Sequence, residues 1–136
     1  MSVEFDLDAY FERVGFGGEP KASLDTLFAL HFAHATRVPF ENLDIQMGLP
    51  IRLDLPSLQD KLVRRRRGGY CFEQNTLFLA ALKVIGFDVI ACEARVRLGA
   101  PDILPRTHML LLVRMEEAFW LSDVGFGGEG LLWPVA

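Results

Sequence analysis

This sequence is short of everything that would announce a covalent framework, a membrane or a nucleic acid. Only two cysteines occur in 136 residues, too few for a disulfide framework, so the chain reads as one suited to a reducing, cytoplasmic setting. Positive charge is in deficit: the formal net charge is −4 and the sequence pI is about 5.3. That balance argues against nucleic acid as a main partner. No apolar stretch approaches the roughly 18–20 residues of a membrane span. The N-terminus is acidic, which does not fit a secretory signal peptide. There is no low-complexity segment. Apolar residues, by contrast, make up 51% of the chain, enough for one compact domain or for two small lobes sharing a core.

The most informative stretch is Arg64-Arg65-Arg66-Arg67-Gly68-Gly69-Tyr70-Cys71-Phe72-Glu73-Gln74-Asn75. Four arginines close one segment, two glycines break the chain, and a cysteine opens an apolar run (Phe72, Leu77, Phe78, Leu79, Ala81, Leu82, Val84, Ile85) that stops at Gly86. Gly86 is a natural residue just past a helix end. Cys71 is therefore expected in the first turn of a buried helix, where unpaired backbone N–H groups and the positive dipole end favour a thiolate.

Upstream, Asp6 is placed to cap a first helix, with Leu7, Tyr10, Phe11 and Val14 on one stripe and Gly15 ending it. After a Gly-Pro loop, Ser23 caps a second helix to about Thr36. Leu24, Leu27, Phe28, Leu30 and Phe32 form its apolar side, and Pro39 halts it. His31 and His34 lie three apart on that helix. With no third ligand near in sequence, we read them as packing or solvated histidines rather than a metal pair, and expect no metal. Residues 39–44 read as an irregular connector and Gly48-Leu49-Pro50 as a turn. Asp54 or Ser57 caps a third helix, with Leu55, Leu58 and Leu62 inward. The arginines at its end suit the negative dipole end and are read mostly as solvated. Arg67 is placed to reach back to Glu41 or Asp44 and tie the connector to the cysteine loop.

Beyond Gly86 the period changes. Residues 87–97 read as a strand, and residues 107–115 and 118–124 as two more joined by a turn near Met115-Glu116-Glu117. Helices first and strands after point to an α+β fold. If the turn centres on Met115-Glu116, Arg114 pairs with Glu117 and His108 lies opposite Asp123. A shift of two residues makes His108 and Asp123 diagonal neighbours on the same face, whereas a shift of one splits them. A carboxylate beside an imidazole orients it and stabilises its charged form, and the imidazole can keep a cysteine ionised. Cys71, His108 and Asp123 are thus a candidate triad. Residues 125–130 match a Gly-x-Gly-x-x-Gly dinucleotide pattern, but no helix can follow in the few residues left, so that reading fails on context. A flexible backbone that lets something approach the triad is the better reading. The hexapeptide Val-Gly-Phe-Gly-Gly-Glu occurs at 14–19 and 124–129 with unmatched flanks, and is read as coincidence.

Four segments together resemble the arylamine N-acetyltransferase family: Pro39-Phe40-Glu41-Asn42-Leu43-Asp44, residues 65–75, Pro105-Arg106-Thr107-His108, and Ser122-Asp123-Val124-Gly125-Phe126-Gly127-Gly128. They stand in family order along nearly the whole chain. The resemblance implies a Cys71 nucleophile completed by His108 and Asp123, with two-step transfer of acetyl from acetyl-CoA through a Cys71 thioester. Arylamines, arylhydrazines or N-hydroxyarylamines would accept the group, in a cytoplasmic role in xenobiotic metabolism. It implies that Phe40, Thr107, Phe126 and Gly127 serve substrate binding, and that Arg67 and Glu41 are structural support. The implied fold is a helical domain over residues 1–86, then over 87–136 the start of a β-barrel domain of antiparallel strands, with a cysteine-proteinase-like core.

Members of that family run to about twice this length, so the sequence reads as a fragment or truncated product without the C-terminal lid domain. It is expected to hold CoA poorly, to favour thioester hydrolysis over transfer, and to self-associate through exposed barrel edges. Rival readings are an amide synthase or a transglutaminase-like or papain-like hydrolase using the same triad, and a non-catalytic remnant with an unreactive Cys71. Cys92 is expected to be a buried strand residue with an ordinary thiol.

Overall fold

The computed structural model describes residues 4–136. Helix α1, Leu7–Val14, begins where the Asp6 carboxylate accepts the Ala9 N–H at 3.0 Å, and ends at Gly15, whose φ of 74° few residues with a side chain would adopt. Helix α2, Leu24–Arg37, is capped by Ser23 and stops before Pro39. Its buried stripe is Leu27, Leu30, His31 and His34, while Leu24 and Phe32 are exposed. The expectation that those two face the core is corrected. Phe32 instead stacks on Trp133 at the surface, and polar His31 and His34 take inward positions, where His34 finds buried partners at both ring nitrogens and His31 at Nε2.

The connector after Pro39 is not wholly irregular, since Leu43–Gln46 forms a single helical turn, α3. Helix α4, Leu55–Leu58, is capped by Asp54 rather than Ser57 and runs on as a π-helix, Gln59–Arg64. Nothing in the apolar spacing foreshadowed that widening. Leu58 and Leu62 face the core and Arg64, Arg65 and Arg66 lie in solvent. Helix α5, Cys71–Ile85, ends at Gly86 in the left-handed region.

The strands β1 (Asp88–Ala94), β2 (His108–Met115) and β3 (Ala118–Ser122) form one antiparallel sheet in that order. Helices followed by an antiparallel sheet give an α+β fold, and the open three-stranded sheet is an incomplete barrel. Val135 returns to pair with Leu121 through two backbone hydrogen bonds of 2.7 and 3.0 Å, so the tail lies along the outer side of β3. Met115 pairs with Ala118 and Arg114 with Phe119, not Glu117. This is the register that makes His108 and Asp123 diagonal neighbours. Cys92 is half-buried rather than buried, because β1 is an edge strand covered mainly on one side.

One core joins both parts: Tyr10, Leu30, Leu62, Leu77, Phe78 and Leu111 are fully buried in it. Each such leucine stabilises the fold by about 1.5–3 kcal/mol. Helix α5 packs on β1 and β2, and that contact carries the cysteine helix to the sheet. No helix among the described residues is long and apolar enough to cross a membrane.

Candidate active site

Cys71 is the first residue of α5 and is 7% exposed. The two glycines before it are required by a close approach. A Cβ on Gly68 would lie 1.8 Å from the Pro39 carbonyl oxygen, so only glycine lets the connector touch the loop. The contact is a short parallel bridge: Gly69 N–H donates to the Pro39 carbonyl at 3.3 Å and Glu41 N–H to the Gly69 carbonyl at 3.0 Å. Arg67 holds the same connector from outside. Its guanidinium donates to the Glu41 carboxylate and to both Asp44 oxygens, the nearer at 2.9 Å, while the second Glu41 oxygen accepts the Gly68 N–H at 3.2 Å. Phe40, in the middle of this connector, is thereby bridged to Gly69, two residues before Cys71.

His108 opens β2 and Asp123 follows β3, both 6% exposed. His108 Nε2 and Asp123 Oδ2 are 2.5 Å apart, a short charge-assisted hydrogen bond. That leaves Nδ1 as the ring nitrogen for the thiol. The hydrogen bond to Asp123, and after it the influence of the Cys71 thiol, outweigh burial and raise the His108 pKa to about 9. The imidazole therefore stays charged through neutral pH. Burial pushes the Asp123 carboxyl up, but hydrogen bonds from His108, Asn75 and the Gly125 N–H outweigh it and hold the pKa below the ordinary value. Thr107 contributes only its backbone here, its carbonyl lying 4.0 Å from Cys71 Sγ while its side chain is exposed.

Three residues not assigned to the triad's surroundings from the sequence, one of them the His31 read there as packing or solvated, complete the arrangement. Asn75, one turn beyond Cys71 on α5, donates to Asp123 Oδ1 at 3.0 Å and to the Met109 carbonyl at 2.8 Å, and accepts the Val124 N–H at 3.1 Å. The i, i+4 spacing from Cys71 put it on the cysteine face and was the available signal. His31 Nε2 accepts the Asp123 N–H at 3.2 Å. Gln74 donates to the carbonyls of Pro39 and Gly69 at 2.9 and 3.1 Å and accepts from His34 Nε2 at 2.9 Å. The other His34 nitrogen then accepts the Tyr10 hydroxyl at 2.7 Å. Nothing local in the sequence marks His31 or His34 for these contacts, with partners 92 and 40 residues away.

The Gly125-Phe126-Gly127-Gly128 loop closes over the cysteine. A Cβ on Gly125 would meet Cys71 Cα at 2.9 Å. The Phe126 ring stands edge-on to His108 at 5.2 Å, and Gly127 lies against the Phe40 ring. Phe40 and Phe126, 46% and 40% exposed, line with Pro39, Asp123 and Gly127 a crevice of about 240 Å³. A larger crevice of about 710 Å³, between Ser23, Gly86 and Trp120, holds none of these residues. Among the described residues no group of histidine, cysteine and carboxylate side chains could hold a metal ion.

Fold and site together describe a helical part docked on an antiparallel sheet, with a thiol, an imidazole and a carboxylate meeting at the seam. A thiol, an imidazole and a carboxylate brought together in this way are the groups that cysteine-centred group transfer requires. The family model for N-acetyltransferase matches residues 23–136. An arylamine N-acetyltransferase from Escherichia coli is 49% identical over 130 residues, covering 95% of this chain and 46% of its own length. The solved structure of the arylamine N-acetyltransferase from Salmonella typhimurium superposes with a TM-score of 0.92 at 46% identity, over 99% of this chain and 49% of that one. The Mycobacterium marinum arylamine N-acetyltransferase in complex with CoA gives a TM-score of 0.90 at 40% identity, over 96% and 50%. This chain belongs to the N-acetyltransferase family, and it spans about half the length of the curated relatives it matches.

Proposed function

We propose that this chain carries the acyl-transfer machinery of an arylamine N-acetyltransferase that uses acetyl-CoA as donor. In the first step Cys71 Sγ attacks the acetyl carbonyl. The new C–S bond forms as the bond to the CoA sulfur breaks, and His108 supplies the proton that the departing thiolate takes up. In the second step the amine of an arylamine, arylhydrazine or N-hydroxyarylamine attacks the Cys71 thioester. The N–C bond forms, the S–C bond breaks, and His108 Nδ1 collects the amine proton. Asp123 keeps the imidazole oriented and charged, and Asn75 keeps Asp123 oriented. A cysteine suits both halves because its thiolate is nucleophilic and also leaves readily.

The observation that carries this reading is the His108–Asp123 pair at 2.5 Å, buried beside a thiol at a helix N-terminus. The Phe40–Phe126 crevice favours a flat aromatic acceptor, since ring edges and faces give oriented contacts there. Arg67 and Glu41 act by holding the connector that bears Phe40, and Thr107 by the carbonyl beside Sγ. We place the protein in the reducing cytoplasm, with self-association through the free edge of β1 as its expected partner contact.

Intact-mass spectrometry after brief incubation with acetyl-CoA, and in parallel with a small acetyl ester, tests the proposal. One acetyl group on wild type, absent from Cys71→Ala, is the expected result. Labelling by the ester alone assigns CoA capture to sequence outside this half. A folded sample labelled by neither reagent overturns the proposal.

A further inference from the structure

A second charged cluster lies behind the cysteine, and the chemistry above does not use it. Lys61, on the π-helical turn, is 7% exposed, and its ammonium donates to Glu73 Oε2 at 2.8 Å and lies 2.9 Å from Asp44 Oδ2. Glu73 is 2% exposed and stands in the first turn of α5, two residues after Cys71. Its other oxygen, Oε1, accepts the Tyr70 N–H at 3.3 Å and so closes the helix start from inside. Burial lowers the Lys61 pKa, but hydrogen bonds to Glu73 and then Asp44 outweigh it and raise the pKa above its ordinary value.

A carboxylate cap suits a helix N-terminus. Here it has a cost, because the same turn presents the thiol, and a second negative charge in low dielectric disfavours a thiolate. The charged and titratable groups around that turn are His108 from β2, Asp123 from the loop after β3, Tyr70 and Glu73 from α5 and its cap, and Lys61 from the π-helix. Beyond Lys61 lie Asp44, Glu41 and Arg67. Of these, only Lys61 touches the Glu73 carboxylate through a charge.

Resting on Cys71 as the nucleophile, we propose that Lys61 is a positioning residue for the transfer reaction. Its ammonium neutralises the Glu73 carboxylate that caps the cysteine helix, so the cap is made by an acid without adding a net negative charge to the turn that presents the thiol. The π-helical turn serves this arrangement by holding Lys61 inward beside core residues Leu62 and Val63.

The experiment is the pH dependence of Cys71 alkylation by iodoacetamide in the full chain, read by mass spectrometry, with Cys92 as the internal reference. Four proteins are compared: wild type, Lys61→Met, Glu73→Gln and the double variant. Lys61→Met is expected to move the pH profile of Cys71 alkylation upward by about one unit, read as about tenfold slower alkylation on the acid limb of the profile, and to converge with wild type at high pH. Glu73→Gln keeps an oxygen for the Tyr70 N–H and is expected to react at least as fast as wild type. The double variant is expected within about twofold of wild type, which is small beside the tenfold that one titration unit represents. It also keeps the idea testable should Lys61→Met alone fail to fold. A loss in Lys61→Met that persists unchanged at high pH means displacement of the thiol and overturns the proposal. So does a slowed Glu73→Gln, or four profiles that overlay. If wild-type Cys71 reacts no faster than Cys92, the nucleophile reading itself falls and takes this one with it.

Discussion

All three histidines are buried, yet the two on α2 and the one on β2 lie at opposite ends of the pKa scale. Burial lowers His34 to about 3 and His31 to about 4, whereas the Asp123 carboxylate, with the Cys71 thiol, raises His108 to about 9. His34 meets only neutral partners, a tyrosine hydroxyl and an amide oxygen, so nothing offsets the loss of hydration of a charge. His31 accepts a backbone N–H, which requires a bare nitrogen. The α2 pair is thus neutral scaffolding, and His108 is held charged. Burial sets the stakes, and the nearest formal charge decides the sign.

Removing that charge should break the contrast most severely. Asp123→Asn should return the His108 titration, followed by imidazole NMR, to the ordinary range or below. It should cut single-turnover acetylation of Cys71 by about 10³–10⁴, the loss typical when a triad carboxylate is made an amide. Unchanged acetylation would detach His108 from the chemistry. On the scaffold side, His34→Leu strands the Tyr10 hydroxyl and the Gln74 amide oxygen without partners. Urea unfolding should show a loss of about 2–4 kcal/mol, from two buried unsatisfied groups, while the His108 titration stays where it was. Asn75→Ala sits between the two regions and should register on both measurements, costing about 1–3 kcal/mol and slowing acetylation. A stability loss with no change in acetylation would make Asn75 scaffold alone.

The pH dependence of stability separates the regions without mutation. The His108 pKa is raised above its unfolded value of about 6.5, so its contribution is fully present below that pH and is lost as pH rises toward 9. The His31 and His34 values are depressed, so their contribution is present above about 6.5 and is lost as pH falls toward 4 and 3. Asp123, also depressed, adds to the acid-side loss. Stability should peak near neutrality, and Asp123→Asn should flatten the alkaline side while leaving most of the acid side. The smallest effect belongs to Cys92→Ser. On the edge strand it should leave acetylation unchanged and stability within about 0.5 kcal/mol, and a larger change would mean that β1 is more tightly covered than its half-buried thiol indicates.

Helix limits were legible wherever a cap chose them. Asp6 and Ser23 each start a helix, and Gly15 and Gly86 each end one, for reasons contained in a few residues, and the Gly68-Gly69 break likewise sets Cys71 at a helix start. The hairpin was legible only up to its register. The sequence reads as strands over residues 107–115 and 118–124, which the structure sets at 108–115 and 118–122, but two registers place His108 and Asp123 on one face, and the Glu116-Glu117 turn chose between them. The inward direction of α2 was misread at Leu24 and Phe32, because hydrophobicity predicts burial only on average and the interior here accepts histidines that find partners.

Two determinants therefore separate cleanly. Local chemistry in the chain was enough to place a cysteine at the N-terminus of a buried helix, to put helices before strands, and to bring a histidine and an aspartate within reach of one hairpin face. Those features depend on backbone propensity, caps and period, which act over a few residues. The packing of α5 on the sheet decided the rest: which carboxylate meets which imidazole, that Asn75 and His31 back Asp123, and that a buried lysine faces the acid beside the cysteine. Those contacts join residues 12 to 92 positions apart, and the pKa shifts that go with them arise only when water is removed around them, which happens only in the folded chain.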